Sequence, residues 1–172
     1  GSAFLACQGR AAHGLAHAAD AVARGAVAVL WEPVPGVAAP TLPPHVVVVA
    51  IPGLRSLAGE LADRFHDRPS AELRIAGFTG TNGKTTSAYL LAQAADLVGR
   101  RCYYLGTIGF GRPGALSDAG LTTPDVVSVH RRLAEARDAG ARSMSLEVSS
   151  HALDQARVAA VRFDTAVFTN LT

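Results

Sequence analysis

The chain has 172 residues, 49% of them hydrophobic and 17% charged, with a formal net charge of +2. It carries enough apolar material for a core, which excludes a disordered segment. No apolar run approaches the roughly 20 residues of a membrane-spanning helix. Aromatics are only 6% and the basic residues are scattered, so no nucleic-acid face is expected. Cys7 and Cys102 lie far apart and read as two small buried thiols in a reducing, cytoplasmic setting.

Taken in chain order, Ala3–Cys7 reads as a strand and Gly14–Arg24 as a helix, with Leu15, Ala18, Ala19 and Val22 at helical spacing and Gly25 as its stop. Ala26–Trp31 and Val46–Ile51 are continuous apolar runs and predict buried strands. Between them, Glu32–Pro44 carries five prolines and predicts a loop. Leu54–His66 predicts a helix with Leu57, Leu61 and Phe65 on one side. The polar, proline-broken stretch Asp67–Ser70 is the expected domain boundary, giving domains 1–70 and 71–172. Leu73–Phe78 then predicts a strand, Thr79–Gly83 a glycine-rich loop, Thr85–Val98 a helix and Cys102–Leu105 a strand. Gly106–Thr123, with five glycines and a proline, predicts a long connection. Pro124 fits the first turn of a helix running to about Ala139, with Asp125 adding an acid there. Ser143–Val148 and Asp164–Phe168 predict two more strands. Strand–helix alternation in both segments predicts an α/β protein with mostly parallel sheets covered by helices.

One compositional bias points to chemistry. Arginine occurs 15 times and lysine once, at Lys84. A lone lysine in an arginine-rich chain implies a task for which a compact ammonium suits better than a planar guanidinium. Lys84 lies in Gly80-Thr81-Asn82-Gly83-Lys84-Thr85-Thr86, between a predicted strand and a predicted helix, the context of a phosphate-binding loop. The glycines let backbone N–H groups converge on anionic oxygens, and the helix N-terminus adds positive potential. Lys84 would reach the outer phosphates of a nucleotide, and Thr85 would ligate Mg²⁺. The strict pattern wants glycine at position 78, where this chain has Phe78 flanked by Gly77 and Gly80.

Glu147 ends the predicted strand Ser143–Val148, where ligands gather in open α/β sheets. It reads equally well as the carboxylate that completes a Mg²⁺ site with Thr85 and as a cap of the next element. Thr122-Thr123-Pro124-Asp125 reads as a helix cap. Arg157 could bind a carboxylate or phosphate bidentately, and His151 could be a phosphate contact or a helix-start residue.

Six motifs then occur in order: GTNGKTT (Gly80–Thr86), LGTIG (Leu105–Gly109), LTTPD (Leu121–Asp125), EVSSHAL (Glu147–Leu153), QARV (Gln155–Val158) and FTNL (Phe168–Leu171). Together they resemble the Mur ligases, and within them the member that adds the third residue of the peptide. The likeness covers essentially the whole chain, although His13 stands where the family has aspartate. It implies a small N-terminal α/β uridine-binding domain, its start missing, followed by part of a P-loop central domain. It also implies a cytoplasmic, ATP- and Mg²⁺-dependent amide ligase of peptidoglycan precursor synthesis, monomeric, with no nucleic-acid or membrane partner. Its substrates would be UDP-MurNAc-L-Ala-D-Glu and a free amino acid, meso-diaminopimelate or L-lysine, joined through an acyl phosphate.

By the same resemblance, Gly80 to Thr86 would hold ATP, with Lys84 and Glu147 catalytic and Thr85 and Glu147 on Mg²⁺. Thr122, Thr123, Ser149, Gln155 and Arg157 would contact the UDP-sugar dipeptide, and Arg10, Ala11 and Ala12 would line the uridine pocket. The isolated chain is expected to be an inactive fragment. A stand-alone nucleotide or UDP-sugar binding module and a folylpolyglutamate-synthetase-like ligase are the alternatives; LTTPD and EVSSHAL argue against the latter.

Overall fold

The computed structural model describes residues 1–9 and 12–172. The chain divides into two compact units, Gly1–Ala58 and Gly59–Thr172, each of them α/β.

The first unit contains β1 (Ser2–Ala6), α1 (Ala18–Ala23), β2 (Ala26–Trp31) and β3 (Val47–Ala50), with the strands in one parallel sheet of order β1-β2-β3. Its core is Ala6, Ala18, Val29, Trp31 and Val46. The expected helix from Gly14 opens instead as a 3-10 turn, Gly14–His17, before α1 begins. His13 sets that turn, its ring Nδ1 accepting the Leu15 N–H at 3.1 Å. The expectation of a buried strand at Val46–Ile51 needs correcting. All four residues of β3 are exposed, because among the described residues β3 bonds only to β2 and forms the sheet edge.

The division between the two compact units falls within the helix α2 (Leu54–Phe65). The reason lies in how its second half is held. Gly59 lies so close to Ala159 that a Cβ there would meet the Ala159 carbonyl oxygen at 2.7 Å. Arg137 Nη1 donates to the carbonyls of His66 and Asp67 at 3.0 and 3.2 Å. Asp67 and Arg68 then adopt left-handed φ values of 56° and 52°, ending the helix.

The second unit runs β4 (Arg74–Thr79), α3 (Lys84–Leu97), β5 (Cys102–Gly106), β6 (Gly109–Arg112), β7 (Ala115–Ser117), α4 (Val126–Asp138), β8 (Ser143–Glu147), α5 (Ser150–Asp154) and β9 (Thr165–Phe168). Its sheet has the order β7-β6-β5-β8-β4-β9. β5, β8, β4 and β9 are parallel, while β6 and β7 add an antiparallel edge. Strand alternation divides the sheet's side chains between two cores. Ile75, Leu105, Met144 and Leu146 pack with Val129, Leu133 and Ala136 of α4. Phe78, Cys102 and Tyr104 pack with Ala88 and Ala92 of α3.

Two expectations change here. Gly106–Thr123 is not a bare connection but holds β6 and β7. Its glycines make that pairing possible: Gly109 and Gly111 have φ of 138° and 142°, and a Cβ on either would strike a backbone carbonyl oxygen of β7, that of Ser117 or Ala115. The helix after Thr123 begins at Val126, with Pro124 outside it. Asp125 is its N-cap, the carboxylate accepting the N–H groups of Val127 and Ser128 at 3.1 and 3.0 Å, as such a cap should. Among the described residues, no helix is long and apolar enough to cross a membrane.

Candidate functional site

The site forms in the second unit at the carboxyl ends of β4, β5 and β8, where the sheet opens toward the N-terminus of α3. Gly80 (φ 129°) and Gly83 (φ 82°) turn the chain between β4 and α3. Lys84 is the first residue of α3, and its ammonium donates to the carbonyls of Gly80 and Thr81 at 2.8 and 3.2 Å. The lysine therefore folds back over its own loop. Phe78 explains the departure from the strict pattern: it is still in β4, buried against Ala88 and Ala92.

The loop is latched to the chain after β9. Thr81 N–H donates to the Asn170 carbonyl at 2.9 Å, and Asn82 N–H donates to Asn170 Oδ1 at 3.1 Å. The Thr169 hydroxyl donates to the Asn82 carbonyl at 2.7 Å. Gly80 is obligatory at this crossing, because a Cβ would run into Thr169 Oγ1 and the Asn170 backbone.

Glu147 is completely buried and lies opposite Phe78 in the β4–β8 register. Its carboxylate is held from three directions. Oε1 accepts the Tyr104 hydroxyl and the Thr107 N–H at 3.0 Å. Oε2 accepts the hydroxyls of Thr85 at 2.9 Å and Thr107 at 3.2 Å. A buried carboxylate is tolerable only with such donors. Burial first, then the hydrogen bond and charge of Glu147, push the Tyr104 hydroxyl well above the usual tyrosine range, so it stays a donor.

A second cluster adjoins this carboxylate. Thr122 Oγ1 lies 3.0 Å from Thr107 Oγ1. Thr123 is buried; its hydroxyl donates to the Glu147 carbonyl at 2.8 Å and accepts the Ser149 N–H at 3.2 Å. Ser149 Oγ is the N-cap of α5, accepting the Ala152 N–H at 3.1 Å. Arg157 donates to the Thr123 carbonyl at 2.8 Å and, through Nε and Nη2, to Gln155 Oε1 at 3.0 and 2.7 Å. Ala156 between them has φ 52°, a left-handed backbone that alanine rarely adopts and that often accompanies functional sites.

Residues 80–86, 122, 123, 147, 149, 155 and 157 thus come together around one end of the sheet. Thr86 is exposed on α3, and His151 is exposed on α5. Ala12 belongs to the other unit, is exposed, and accepts the Gly9 N–H at 3.0 Å; Arg10 and Ala11 lie outside the described residues. Tyr104, Thr107 and the latch residues Thr169 and Asn170 were not identified as site residues from sequence. Thr107 sits within LGTIG, which signalled the segment without assigning a role; Tyr104 became visible only with the β5–β8 register.

The donors suit a small hard cation. Thr85 gives its proton to Glu147 and keeps its lone pairs free, and Glu147 supplies one carboxylate. No cluster of three His, Cys, Asp or Glu able to hold a metal exists among the described residues. Other ligands would therefore be water or phosphate oxygens, as is usual for Mg²⁺.

Strand β4, the glycine loop and the Lys84 helix start define an α/β domain of the P-loop class. The chain belongs to the Mur ligase family: the profile of the Mur ligase middle domain matches residues 78–172. It is 54% identical, over its whole length, to UDP-N-acetylmuramoyl-L-alanyl-D-glutamate–2,6-diaminopimelate ligase of Xanthomonas campestris pv. campestris, covering 34% of that protein. The ligase of the same name from Ectopseudomonas mendocina is 52% identical over 99% of this chain and 35% of its own length. A solved structure of a ligase of that name superposes with a TM-score of 0.79 at 32% identity, over 99% of this chain and 34% of that one. MurF from Thermotoga maritima, solved with ADP, shares the fold at a TM-score of 0.63 and 20% identity, over 99% of this chain and 34% of that one. The chain therefore spans about a third of the length of these relatives.

Proposed function

We propose that this chain is the substrate- and nucleotide-binding part of an ATP-dependent amide ligase that adds meso-diaminopimelate to UDP-MurNAc-L-Ala-D-Glu in the cytoplasm. Residues 1–70 would bind the uridine end of the substrate, with Arg10, Ala11 and Ala12 at the pocket, and residues 71–172 the nucleotide. The identity of this chain to about a third of the length of diaminopimelate ligases supports the choice of reaction. The single observation that carries the site is the buried Glu147 carboxylate bonded to Thr85, one residue beyond the lone lysine.

In this reaction the D-Glu carboxylate attacks the γ-phosphorus of ATP and ADP leaves. The amine of the incoming amino acid then attacks the acyl carbon, the C–O bond to the phosphate breaks, inorganic phosphate leaves with that electron pair, and the nitrogen gives up a proton. The difficulty is electrostatic, because two anions must approach each other. The Lys84 ammonium would turn from its loop carbonyls to offset the phosphate charge, and the N–H groups of Thr81 and Asn82 would join it only on leaving Asn170. Bound Mg²⁺ would screen the remaining repulsion from a seat on Thr85 and Glu147. Thr122, Ser149, Gln155 and Arg157 would hold the dipeptide end, Arg157 with the N–H groups it does not give to Gln155 and Thr123. Thr123, its hydroxyl already committed, would act by fixing Ser149 and Glu147.

The test is the full-length protein, as a monomer, with UDP-MurNAc-L-Ala-D-Glu, ATP and Mg²⁺, assayed for phosphate release and tripeptide product with meso-diaminopimelate and with L-lysine. Diaminopimelate-dependent product is expected, and Lys84→Ala should cut kcat by about 100-fold or more. Substrate binding without product from any amino acid would overturn the ligase reading in favour of a binding module. Full turnover by Lys84→Ala would overturn the phosphate-loop assignment.

A further inference from the structure

The two oxygens of Glu147 are not equivalent. Oε1 takes its hydrogen bonds from the Tyr104 hydroxyl and the Thr107 N–H. The N–H is a fixed donor, and the phenol has little freedom. Tyr104 is fully buried, packed in the α3 core, with its ring edge-on to Tyr89 at 5.5 Å. Oε2 instead faces the hydroxyls of Thr85 and Thr107. Both are rotors that can turn their protons elsewhere when a cation arrives. Gly106 completes the arrangement, since a Cβ there would collide with both Glu147 Oε1 and the Tyr104 hydroxyl. Glycine at 106 is thus needed to let phenol and carboxylate meet.

We infer that Tyr104 is a positioning residue that engages Glu147 Oε1, leaves only Oε2 for a cation, and so tunes the proposed site for Mg²⁺ over larger divalent ions. The inference rests on the reading of Thr85 and Glu147 as a cation site. Mg²⁺ binds carboxylates through one oxygen in a tight octahedron, whereas Ca²⁺ accepts both oxygens in a looser, larger shell. A carboxylate with one oxygen already bonded to the protein favours the first mode and penalises the second. Removing the phenol hydroxyl would leave Oε1 with a single N–H partner and open it to a two-oxygen grip.

The experiment measures cation affinity rather than turnover. Full-length protein, saturated with a non-hydrolysable ATP analogue, is titrated calorimetrically with Mg²⁺ and with Ca²⁺, for the unsubstituted protein and Tyr104→Phe. The unsubstituted protein should prefer Mg²⁺. Tyr104→Phe, which keeps the ring and its packing, should shift the Mg²⁺/Ca²⁺ affinity ratio toward Ca²⁺ by about tenfold, the order set by one hydrogen bond to a carboxylate. Equal loss of both affinities, or an unchanged ratio, would show Tyr104 to be merely structural and overturn the inference. If the unsubstituted protein binds the nucleotide analogue but no cation, the site reading itself falls, and the inference with it. A second measurement needs no change at Tyr104. Infrared carboxylate bands, isolated by subtracting the spectrum of Glu147→Gln, should show the wide splitting of one-oxygen coordination on adding Mg²⁺; a narrow, two-oxygen pattern would overturn the inference.

Discussion

Replacing Glu147 in two ways separates what the carboxylate does for the fold from what it does for the site. Glu147→Ala removes both acceptors. The Tyr104 hydroxyl, in a fully buried residue, then has no partner, and a buried donor left unpaired costs about 1–3 kcal/mol. The Thr107 N–H loses its bond to Oε1, but Thr107 and Thr85 are not buried, so their polar groups can turn to water at little cost. With the small cavity left behind, the loss should be about 2–4 kcal/mol. Glu147→Gln is different. The amide oxygen can take the place of Oε1, and its NH₂ can face the two threonine hydroxyls, which rotate to accept. Its cost should stay within about 1 kcal/mol. Thermal unfolding of the 172-residue chain without ligands reads the contrast. The alanine variant should melt lower by ~4–16 °C, at ~2–4 °C per kcal/mol for a chain of this size, and the glutamine variant by only a few degrees. Both should lose cation binding. Equal destabilisation by the two variants would refute the argument that the threonine rotors adapt, and little effect of either would refute the claim that Glu147 holds Tyr104.

Asp164 accepts the Ile75 N–H at 2.9 Å and the Arg74 guanidinium at 3.1 Å, and these, the backbone bond foremost, hold its carboxyl below the usual aspartate range. A depressed folded-state value means the stabilisation is complete above the ordinary aspartate pKa of about 3.9 and fades as pH falls through the lower folded value; the urea midpoint gap between the unsubstituted chain and Asp164→Asn should therefore shrink from pH 7 to pH 2, and a constant gap would refute the assignment. Gly80→Ala, with its Cβ driven into Thr169 and Asn170, should cost about 1–3 kcal/mol from backbone strain alone and more from the collision. Gly114→Ala, also at a positive φ (87°) but facing open space, carries backbone strain without a collision, so equal losses in chemical denaturation would disprove the collision.

The sequence made some of this legible and hid the rest for identifiable reasons. Strand–helix alternation and the Gly-Lys-Thr turn are local signals, and β4, α3 and the loop between them lie where such signals place them. Glu147 was ambiguous between cap and ligand because a carboxylate after a strand suits either; the structure gives the capping task to Ser149 of α5 and turns Glu147 inward. The β6–β7 hairpin was hidden because its glycines read as turn residues, when they serve close approach of two strands. β3 read as buried because four apolar residues in a row look alike at a sheet's centre and at its edge. Tyr104 could not be found locally at all. Its partner lies 43 positions away, and only the pairing of β5 with β8 brings the two to one face of the sheet.

The lone lysine shows how composition can carry a structural argument. Fifteen of the chain's cationic side chains besides histidine are arginine, and several use the planar fork. Arg112 grips both oxygens of Asp96, and Arg157 clamps Gln155 and Thr123. At position 84 the geometry is different. The cation must sit within a turn of its own backbone, donating to carbonyls three and four residues earlier at 3.2 and 2.8 Å. A compact ammonium with rotatable protons can meet both carbonyls and then swing to phosphate oxygens, whereas a guanidinium, wider and with donors fixed in one plane, fits such a tight loop poorly. Position 84 is where a compact ammonium serves better than a planar fork. That is the same place where the buried carboxylate of Glu147 reaches Thr85, the residue after Lys84. The short turn between β4 and α3 sets the loop, the lysine and the Thr85 hydroxyl, and the β4–β8 register sets the carboxylate, so that all meet at the edge of one opening in the sheet.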